Sequence, residues 1–291
     1  MRITSNRMID LAAAATSRNQ REVATASSEV SSGMRVQTPS DDPQAWLAAQ
    51  RTKLQKVLSE GTGAAVQQSR DRLELGDAAL ASLGDIVSQV QTLALQGASD
   101  SYDPTSRAGL GAQIQGLFHS ALDHANARGN DGEYLFAGSL STTPPFDAAG
   151  AYGGDAAVRS VPSNGSVTPG VTIPGTALTA ASGVDVLPLL DQVATALSNN
   201  DMTTLRAAIP DLQTAVAQIS SARTRSGSAM NVLDQTTTAR AALEGNMQQM
   251  IARFVESDTV TAASELAKAT QSLEVSRAVS SHIVAMLDPS T

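Results

Sequence analysis

The chain has 291 residues, of which 42% are hydrophobic but only 3% aromatic, so its core must be built mainly from Leu, Val, Ile, Met and Ala. Its net charge of −8 and its three lysines leave no basic face of the kind that binds nucleic acids or anionic membranes. The absence of cysteine excludes disulfides, thiol catalysis and Cys-ligated metal sites.

The first predicted helix covers residues 8–32 and has a weak apolar face. Its larger apolar side chains are Met8, Leu11, Val23 and Val30. Gly33 follows directly, in the position favoured just after a helix end. The apolar stretch 11–15 is too short for a secretory signal, so we expect no cleaved signal peptide.

A start signal for a second helix follows at Asp42-Pro43. The residue before a proline is pushed out of α geometry, as an N-cap requires, and Pro43 suits the first helical position, where its missing N–H costs nothing. We therefore predict that 33–42 is a short ordered connector, with Gly33, Asp42 and Pro43 as its structural residues.

The second helix is predicted over 43–97 and carries the clearest periodicity in the chain. Apolar residues recur every seven positions in two rows offset by three, which is typical of a heptad seam. Such a face must be buried against other helices. The seam of the predicted helical rod consists of Leu73, Leu80, Leu83, Val87 and Val90.

After the turn at Asp103-Pro104, a third helix is predicted over 106–127 and a short strand over 133–136. The composition then shifts, because residues 139–185 are rich in Pro, Gly and Thr. The dipeptide Asn164-Gly165 is typical of a hairpin turn. We predict a small β-rich insert here.

Helical patterning resumes at 186 and continues to the C-terminus, with a last helix over 260–287. If the helices pack together, the two terminal segments must lie side by side. Residues 1–35 hold five arginines and three acidic residues, whereas 246–291 hold three basic and five acidic residues, so their charges are complementary. The apolar residues predicted for the last helix face are Leu266, Leu273, Val279, Ile283 and Leu287.

The faces of both terminal segments are dominated by Ala, Ser and Thr. A helix pair with so little large apolar surface is marginal alone, because burial scarcely offsets the entropy of ordering. Either the ends stay disordered in the monomer, or they fold against neighbouring copies. We favour the second interpretation, because the helical periodicity persists to Leu287.

Motifs for catalysis are weak or missing. The chain contains no H-E-x-x-H, no G-x-S-x-G and no phosphate-binding loop, and "GLGAQIQG" at 109–116 lies inside a helical pattern. His119 and His124 are five residues apart, a spacing that does not align them on one helix face. We predict no enzyme, no cofactor and no metal site. No run of about 18 apolar residues is present, so no transmembrane helix or membrane insertion is expected either.

Four stretches together resemble the flagellin superfamily. They are "MRITSNRMID" at the start, "VSSGMRVQTPSDDPQAW" at 30–46, "NDGEYLFAGSLSTTPPF" at 130–146 and "SELAKATQSLEVSRAVSSHIVAMLD" near the end. Flagellins that form filaments have a small residue and Asp-Asp-Ala where this chain has 38–43, "TPSDDP". The connector therefore resembles members that join the flagellar hook to the filament.

The resemblance implies a structural protein of the bacterial flagellum. Terminal helices of such proteins line an inner tubular layer, a helical rod surrounds them and a β-rich insert faces outward. Subunits leave the cell unfolded through the flagellar type III apparatus, with an uncleaved N-terminal signal and a cytoplasmic chaperone on the C-terminal helix. The implied partners are copies of itself in a helical ring, the preceding hook-associated junction protein and flagellin.

We therefore predict a mainly α fold, a long-helix bundle or coiled-coil rod with a small β-rich central insert. One alternative is a flagellin-type filament subunit, and another is a cytoplasmic helical signalling protein of the chemoreceptor type. The predicted regions are an N-terminal inner-tube helix with connector (1–42), the N-terminal part of the rod (43–138), the outer insert (139–185), the C-terminal part of the rod (186–245) and a C-terminal inner-tube helix (246–291).

Overall fold

A computed structural model describes residues 2–161 and 170–287, with side chains described for 7–161 and 170–286. The described residues are mainly helical, at 75%. Two short 3-10 helices, Gly175–Leu178 and Ala180–Ser182, precede the α-helix that begins at Val186. The α-helices of the described ranges are α1 (Arg2–Ser32), α2 (Pro43–Gly97), α3 (Pro104–Ala125), α4 (Val186–Ser198), α5 (Met202–Val255) and α6 (Thr259–Leu287).

The chain divides into two compact units. The first unit combines Met1–Leu58 with Ala242–Thr291, and the second is Ser59–Ala241. Helices α2 and α5 contribute residues to both units. The boundary predicted between 245 and 246 falls inside α5, which is unbroken to Val255 and also continues through Pro210.

Helix starts follow the capping chemistry of the sequence. The second helix begins at Pro43, as predicted, because Asp42 Oδ1 accepts the Ala45 N–H at 3.0 Å. The third begins at Pro104, two residues earlier than predicted, because Asp103 caps it by accepting the Ser106 N–H at 2.7 Å. The first helix begins at Arg2 rather than at 8, since no Gly or Pro interrupts residues 2–7.

The core of the second unit forms around the later part of α2. The five rod-seam residues Leu73, Leu80, Leu83, Val87 and Val90 are all buried there. Helices α3 and α4 pack against each other, and buried residues from both belong to the same apolar cluster. Large aliphatic side chains thus supply this core, in keeping with the low aromatic content.

A buried arginine caps the C-terminal end of α2. Arg107 on α3 donates from Nε to the Gly97 carbonyl at 2.9 Å and from Nη2 to the Ser99 carbonyl at 3.0 Å. Its remaining terminal nitrogen donates to Asn200 Oδ1 at 2.7 Å, which ties the α4–α5 turn to the same end of the unit. A cation at the negative end of the helix dipole stabilises that terminus.

The predicted β-rich insert is not confirmed. Of the residues that the structure describes between 139 and 185, none forms a strand, and the pairing consists of isolated bridges, Phe146 with Tyr152 and Ser160 with Gly170. Residues 133–136 likewise form no strand, although Tyr134 makes a bridge with Arg128. The Asn164-Gly165 turn lies outside the described residues.

Carboxylates explain why this segment folds as turns. Asp147 Oδ1 accepts the N–H groups of Ala149 and Ala151, at 2.9 and 2.8 Å. Asp155 Oδ1 likewise accepts the N–H groups of Ser139 and Ala157. Backbone donors that a sheet ladder needs are therefore satisfied by nearby side chains, which favours compact turns over strands.

By length and composition alone, α2 is apolar enough to cross a membrane, although it contains no unbroken run of 18 apolar residues. In its most apolar 18-residue stretch, 39% of the residues are buried inside the protein. Core helices of water-soluble folds have the same composition, and the buried face of α2 belongs to the core of the second unit.

Candidate assembly surface

The terminal helices α1 and α6 pack against each other in antiparallel fashion. Thr16 Oγ1 lies 3.1 Å from the hydroxyl oxygens of both Ser276 and Ser280. Closer to the C-terminal end of α1, Asn19 Nδ2 donates to the Ser272 carbonyl at 3.0 Å. The side-by-side position of the terminal segments, predicted from the sequence, is therefore confirmed.

Small side chains form most of the seam between α1 and α6. On α6 the less exposed positions alternate by four and three residues, the spacing of a coiled-coil face. Leu273, at 9% exposure, is the one large side chain that counts as buried there among the described residues. The less exposed α6 residues are Ala262, Leu266, Ala269, Leu273, Ser276, Ser280 and Ile283, and those of α1 include Ala12, Ala15, Thr16, Asn19, Val23 and Ala26.

Predicted assembly residues fall into two groups. Four of them, Val23, Leu266, Leu273 and Ile283, are partly or fully buried. Four others are exposed: Leu11 at 67%, Met8 at 52%, Val279 at 51% and Val30 at 39%. Leu287 ends α6, and its side chain lies outside the described residues. Apolar side chains thus remain on the outer surface of the helix pair, where a single chain does not cover them.

The charges of the two terminal segments are complementary in sign, as their composition indicates. Among the described side chains of α1 and α6, no salt bridge joins the two helices. A shallow groove between them is lined by Arg18, Arg21 and Glu22 of α1 and by Glu265 of α6. Hydroxyl and amide contacts, rather than ion pairs, fix the register of the helix pair.

The connector begins with a glycine in left-handed geometry. Gly33 has a φ of +67°, where a side chain is strained, and its N–H donates to the Glu29 carbonyl at 2.9 Å. The Gly33 carbonyl then accepts the Ser257 N–H at 3.0 Å. Met34 forms an antiparallel bridge with Glu256. The chain leaving α1 is therefore bound to the turn between α5 and α6.

Further along, the connector packs into a small apolar cluster. Val36 is buried against Ala49 and Ile251, and Trp46 packs against this cluster. The N–H groups of Arg35 and Val36 both donate to the Val255 carbonyl, at 2.8 and 3.3 Å. These contacts hold the connector, the start of α2 and the end of α5 together within the first unit.

Two adjacent carboxylates organise the rest of the connector. Asp41 Oδ2 accepts the N–H groups of Gln37 and Thr38, at 2.9 and 2.8 Å, and these bonds lower the pKa of Asp41. The pKa of Asp42 is lowered by the Ala45 N–H that it caps and by Arg35, whose Nη1 lies 3.4 Å from Asp42 Oδ2. In both cases hydrogen bonds stabilise the charged form.

Acid is expected to loosen the connector. A carboxylate whose pKa is lowered by folding stabilises the fold above its unfolded pKa, here near 3.8, and this contribution disappears as the pH falls through the folded value. Trp46, the only tryptophan, reports on this region by its fluorescence. We expect the fluorescence emission of Trp46 to change as the pH falls below 3.8. The midpoint pH of this change should differ in the Asp41→Asn/Asp42→Asn variant.

The matched control for this titration is Asp10→Asn, since Asp10 is exposed on α1 and outside the connector. Asparagine still caps helices and accepts backbone hydrogen bonds, so the double variant is expected to fold at neutral pH. An acid transition identical in the wild type and the double variant would contradict the role given to these carboxylates.

Several residues of this surface carry no sequence signal that singles them out. Thr16, Asn19, Ser276 and Ser280 are ordinary polar residues until the pairing of α1 with α6 is known. The described ranges contain no group of three or more His, Cys, Asp or Glu placed to hold a metal ion. The chemical features of this surface are therefore the pairing of α1 with α6 and the exposed apolar side chains.

Comparison with known proteins shows which proteins this chain is similar to. A family model, the bacterial flagellin N-terminal helical region, matches residues 3–141. Flagellar hook-associated protein 3 of Salmonella typhimurium is 26% identical over 162 residues, which are 54% of this chain and 50% of that protein. Its Escherichia coli K12 namesake is 29% identical over 131 residues, 44% of this chain and 41% of that protein. The chain therefore spans about half the length, or less, of the curated relatives it matches.

A solved structure has the same fold. The putative flagellar hook-associated protein from Vibrio parahaemolyticus superposes with a TM-score of 0.68 at 21% identity, covering 74% of this chain and 100% of that one. Residues 3–141, a little under half of this chain, are thus similar to the bacterial flagellin N-terminal helical region, and the likeness to the solved structure shows a shared fold. The curated proteins that this chain matches both bear the name flagellar hook-associated protein 3.

Proposed function

We propose that the protein is a structural adapter of the bacterial flagellum, located outside the cell, that joins the hook to the filament. The names of the matched relatives support this proposal. The observation that carries it is the α1–α6 pair, whose seam is made of small side chains and whose outer surface keeps Leu11 and Val279 exposed. We propose no catalytic role.

In the proposed mechanism, neighbouring copies bury this surface when the subunits assemble. An exposed leucine or valine gains roughly 1.5–3 kcal/mol when it is fully buried, so several such side chains offset the entropy of fixing two helices. The 29 residues of α6 span roughly 44 Å, enough to wall a narrow channel when copies stand side by side. Because the two contacting surfaces differ, each added copy exposes a new site, and the assembly grows helically.

The connector contributes rigidity to this arrangement. Its bonds to the Val255 and Ser257 backbones keep the end of α1 beside the end of α5. We propose that the terminal helices form the inner-tube layer (1–42 and 246–291), the long helices form the rod (43–138 and 186–245) and 139–185 face outward.

The proposed partners follow from this position. Copies of the same chain surround each subunit in a helical ring, the preceding hook-associated junction protein lies on the hook side and flagellin lies on the filament side. Export requires no cleaved signal peptide in this scheme, and a cytoplasmic chaperone covers the C-terminal helix before secretion. Such a chaperone would bind apolar side chains of α6 that are exposed in the monomer, among them Val279.

Reconstitution on isolated hooks tests the adapter role. We expect purified protein, added to hooks that carry the preceding junction protein, to allow added flagellin to polymerise, as counted by electron microscopy. Hooks without the protein are the control, and equal filament growth on both would contradict the proposal. Long filaments formed by the pure protein alone would instead indicate a flagellin-type filament subunit.

A further inference from the structure

A cavity of about 220 Å³ lies within the second unit between α2, α5 and the segment 170–182. Its inner wall is apolar and buried and includes Leu73, Ile173 and Ala222. On the other side it is lined by Val158 and Arg225, which are exposed, so the cavity opens to solvent there. Because a cavity of roughly 150 Å³ can hold benzene, this one has room for a ring with a short substituent.

Ser226 lines this cavity and is unusual among the helical hydroxyls. Its side chain is 3% exposed, yet Oγ has no hydrogen-bond partner in the part of the chain that the structure describes. Several other serines and threonines of the helices donate to the carbonyl four residues earlier, as Thr224 does to Ser220 at 3.0 Å and Ser198 does to Ala194 at 2.9 Å. A buried hydroxyl left without a partner is costly, and because Oγ has almost no accessible surface, a change of its rotamer is needed to bring it to a ligand in the cavity.

Two other polar side chains around the cavity, Thr172 and Ser182, are already engaged in hydrogen bonds. Thr172 Oγ1 accepts the Arg159 N–H at 2.9 Å, and the Ser182 hydroxyl donates to the Thr176 carbonyl at 2.9 Å. Arg225 is the one charged residue among the described lining residues, and no described carboxylate forms a salt bridge with it. The cavity therefore offers a guanidinium and a hydroxyl, with no acidic side chain on its described walls.

The cavity wall opposite α5 is held in place before any ligand arrives. Buried Gln218 donates from Nε2 to the carbonyls of Ala177, Thr179 and Val184, and its Oε1 accepts the Val184 N–H. One side chain thus binds the backbone on both sides of the bend near 180. A wall fixed in this way lowers the entropy that binding would cost.

We propose that this cavity binds a small organic carboxylate with an apolar, ring-sized body. The body packs between Leu73, Ile173 and Ala222, the carboxylate pairs with the Arg225 guanidinium, and the Ser226 hydroxyl donates to an oxygen of the ligand. Arginine binds carboxylates with two parallel hydrogen bonds, which selects an acid over a neutral analogue of the same shape. The site lies away from the α1–α6 pair in sequence and is independent of the adapter role.

Fluorine NMR with para-fluorobenzoate tests the site on the full chain. We expect saturable binding of the benzoate and at least tenfold weaker binding of para-fluorobenzyl alcohol, which lacks the charge. Ser226→Ala is expected to weaken benzoate binding about fivefold by removing one hydrogen bond. Arg225→Gln is expected to weaken it at least tenfold and to abolish the preference for the acid.

Stability measurements separate a binding role from a structural one. Ser226→Ala removes an unsatisfied buried group, so its melting temperature in the absence of ligand is expected to be unchanged or higher than that of the wild type. Ser228→Ala, an exposed serine on the same helix, is the matched control and should bind benzoate normally. Absence of benzoate binding, equal binding of the alcohol, or unchanged affinity in both site variants would overturn the proposal.

Discussion

Replacing Leu11 and Val279 together by serine is expected to abolish the growth of flagellin on hooks while leaving the fold of the monomer intact. Both side chains are exposed, at 67% and 51%, so their loss should change the free energy of unfolding by no more than about 0.5 kcal/mol per site. In an assembled ring they would be buried, and each serine would then leave a polar group in an apolar contact. The readout is filament growth on isolated hooks, with thermal unfolding measured in parallel.

A matched pair of exposed leucines distinguishes a specific surface from a general loss of apolar area. Leu95 and Leu140 belong to the second unit and are exposed at 52% and 48%, close to the values for Leu11 and Val279. The Leu95→Ser/Leu140→Ser variant should support filament growth at the wild-type level. Normal growth with the Leu11/Val279 variant, or equal loss with both, would show that the terminal helices are not the assembly surface.

Helix periodicity and capping could be predicted from the sequence because both depend on near neighbours. The heptad rows in 73–97 predict a buried helix face, and Leu83 and Val90 are fully buried. Asp42-Pro43 predicts the start of α2 because the cap and the proline act within one turn. Signals of this kind require no knowledge of distant parts of the chain.

The pairing of the terminal segments could be predicted from the sequence, but the individual residues in contact between distant segments could not. The predicted row on α6 includes Val279, whereas the position turned toward α1 is Ser280, because the hydroxyl contacts with Thr16 decide the register. Strand-like composition in 139–185 was misleading, since Asp147 and Asp155 capture the backbone donors. Their effect depends on turns that a pattern of residue types does not reveal.

Arg107 and Gln218 illustrate the same limit for buried polar residues. Both are polar residues in helical segments, and polar side chains of helices are ordinarily expected to be exposed to solvent. Arg107 instead closes the end of α2, and Gln218 holds the 177–184 segment against α5. Both roles require backbone carbonyls as acceptors. These carbonyls reach the two side chains only when the fold brings the end of α2 to Arg107 and the bend near 180 to Gln218.

In the isolated monomer, amides of α1 and α6 are expected to exchange with solvent at least about 100-fold faster than amides of 80–94. The seam between the terminal helices buries little large apolar surface, so opening this pair costs far less free energy than opening the core around Leu83. Assembly should slow exchange in both terminal helices, because neighbouring copies then cover them. Hydrogen exchange followed by mass spectrometry measures both states.

Two leucine-to-alanine variants distinguish the stability of the second unit from that of the α1–α6 pair. Leu83→Ala is expected to cost about 2–5 kcal/mol in unfolding of the second unit, because Leu83 is fully buried in a dense cluster. Leu273→Ala removes the large side chain buried in the α1–α6 seam and should accelerate exchange in α1 and α6 alone. Uniformly slow exchange along the wild-type monomer would contradict the model of terminal helices stabilised by neighbours, and would favour a compact helical protein that needs no copies of itself to complete its fold.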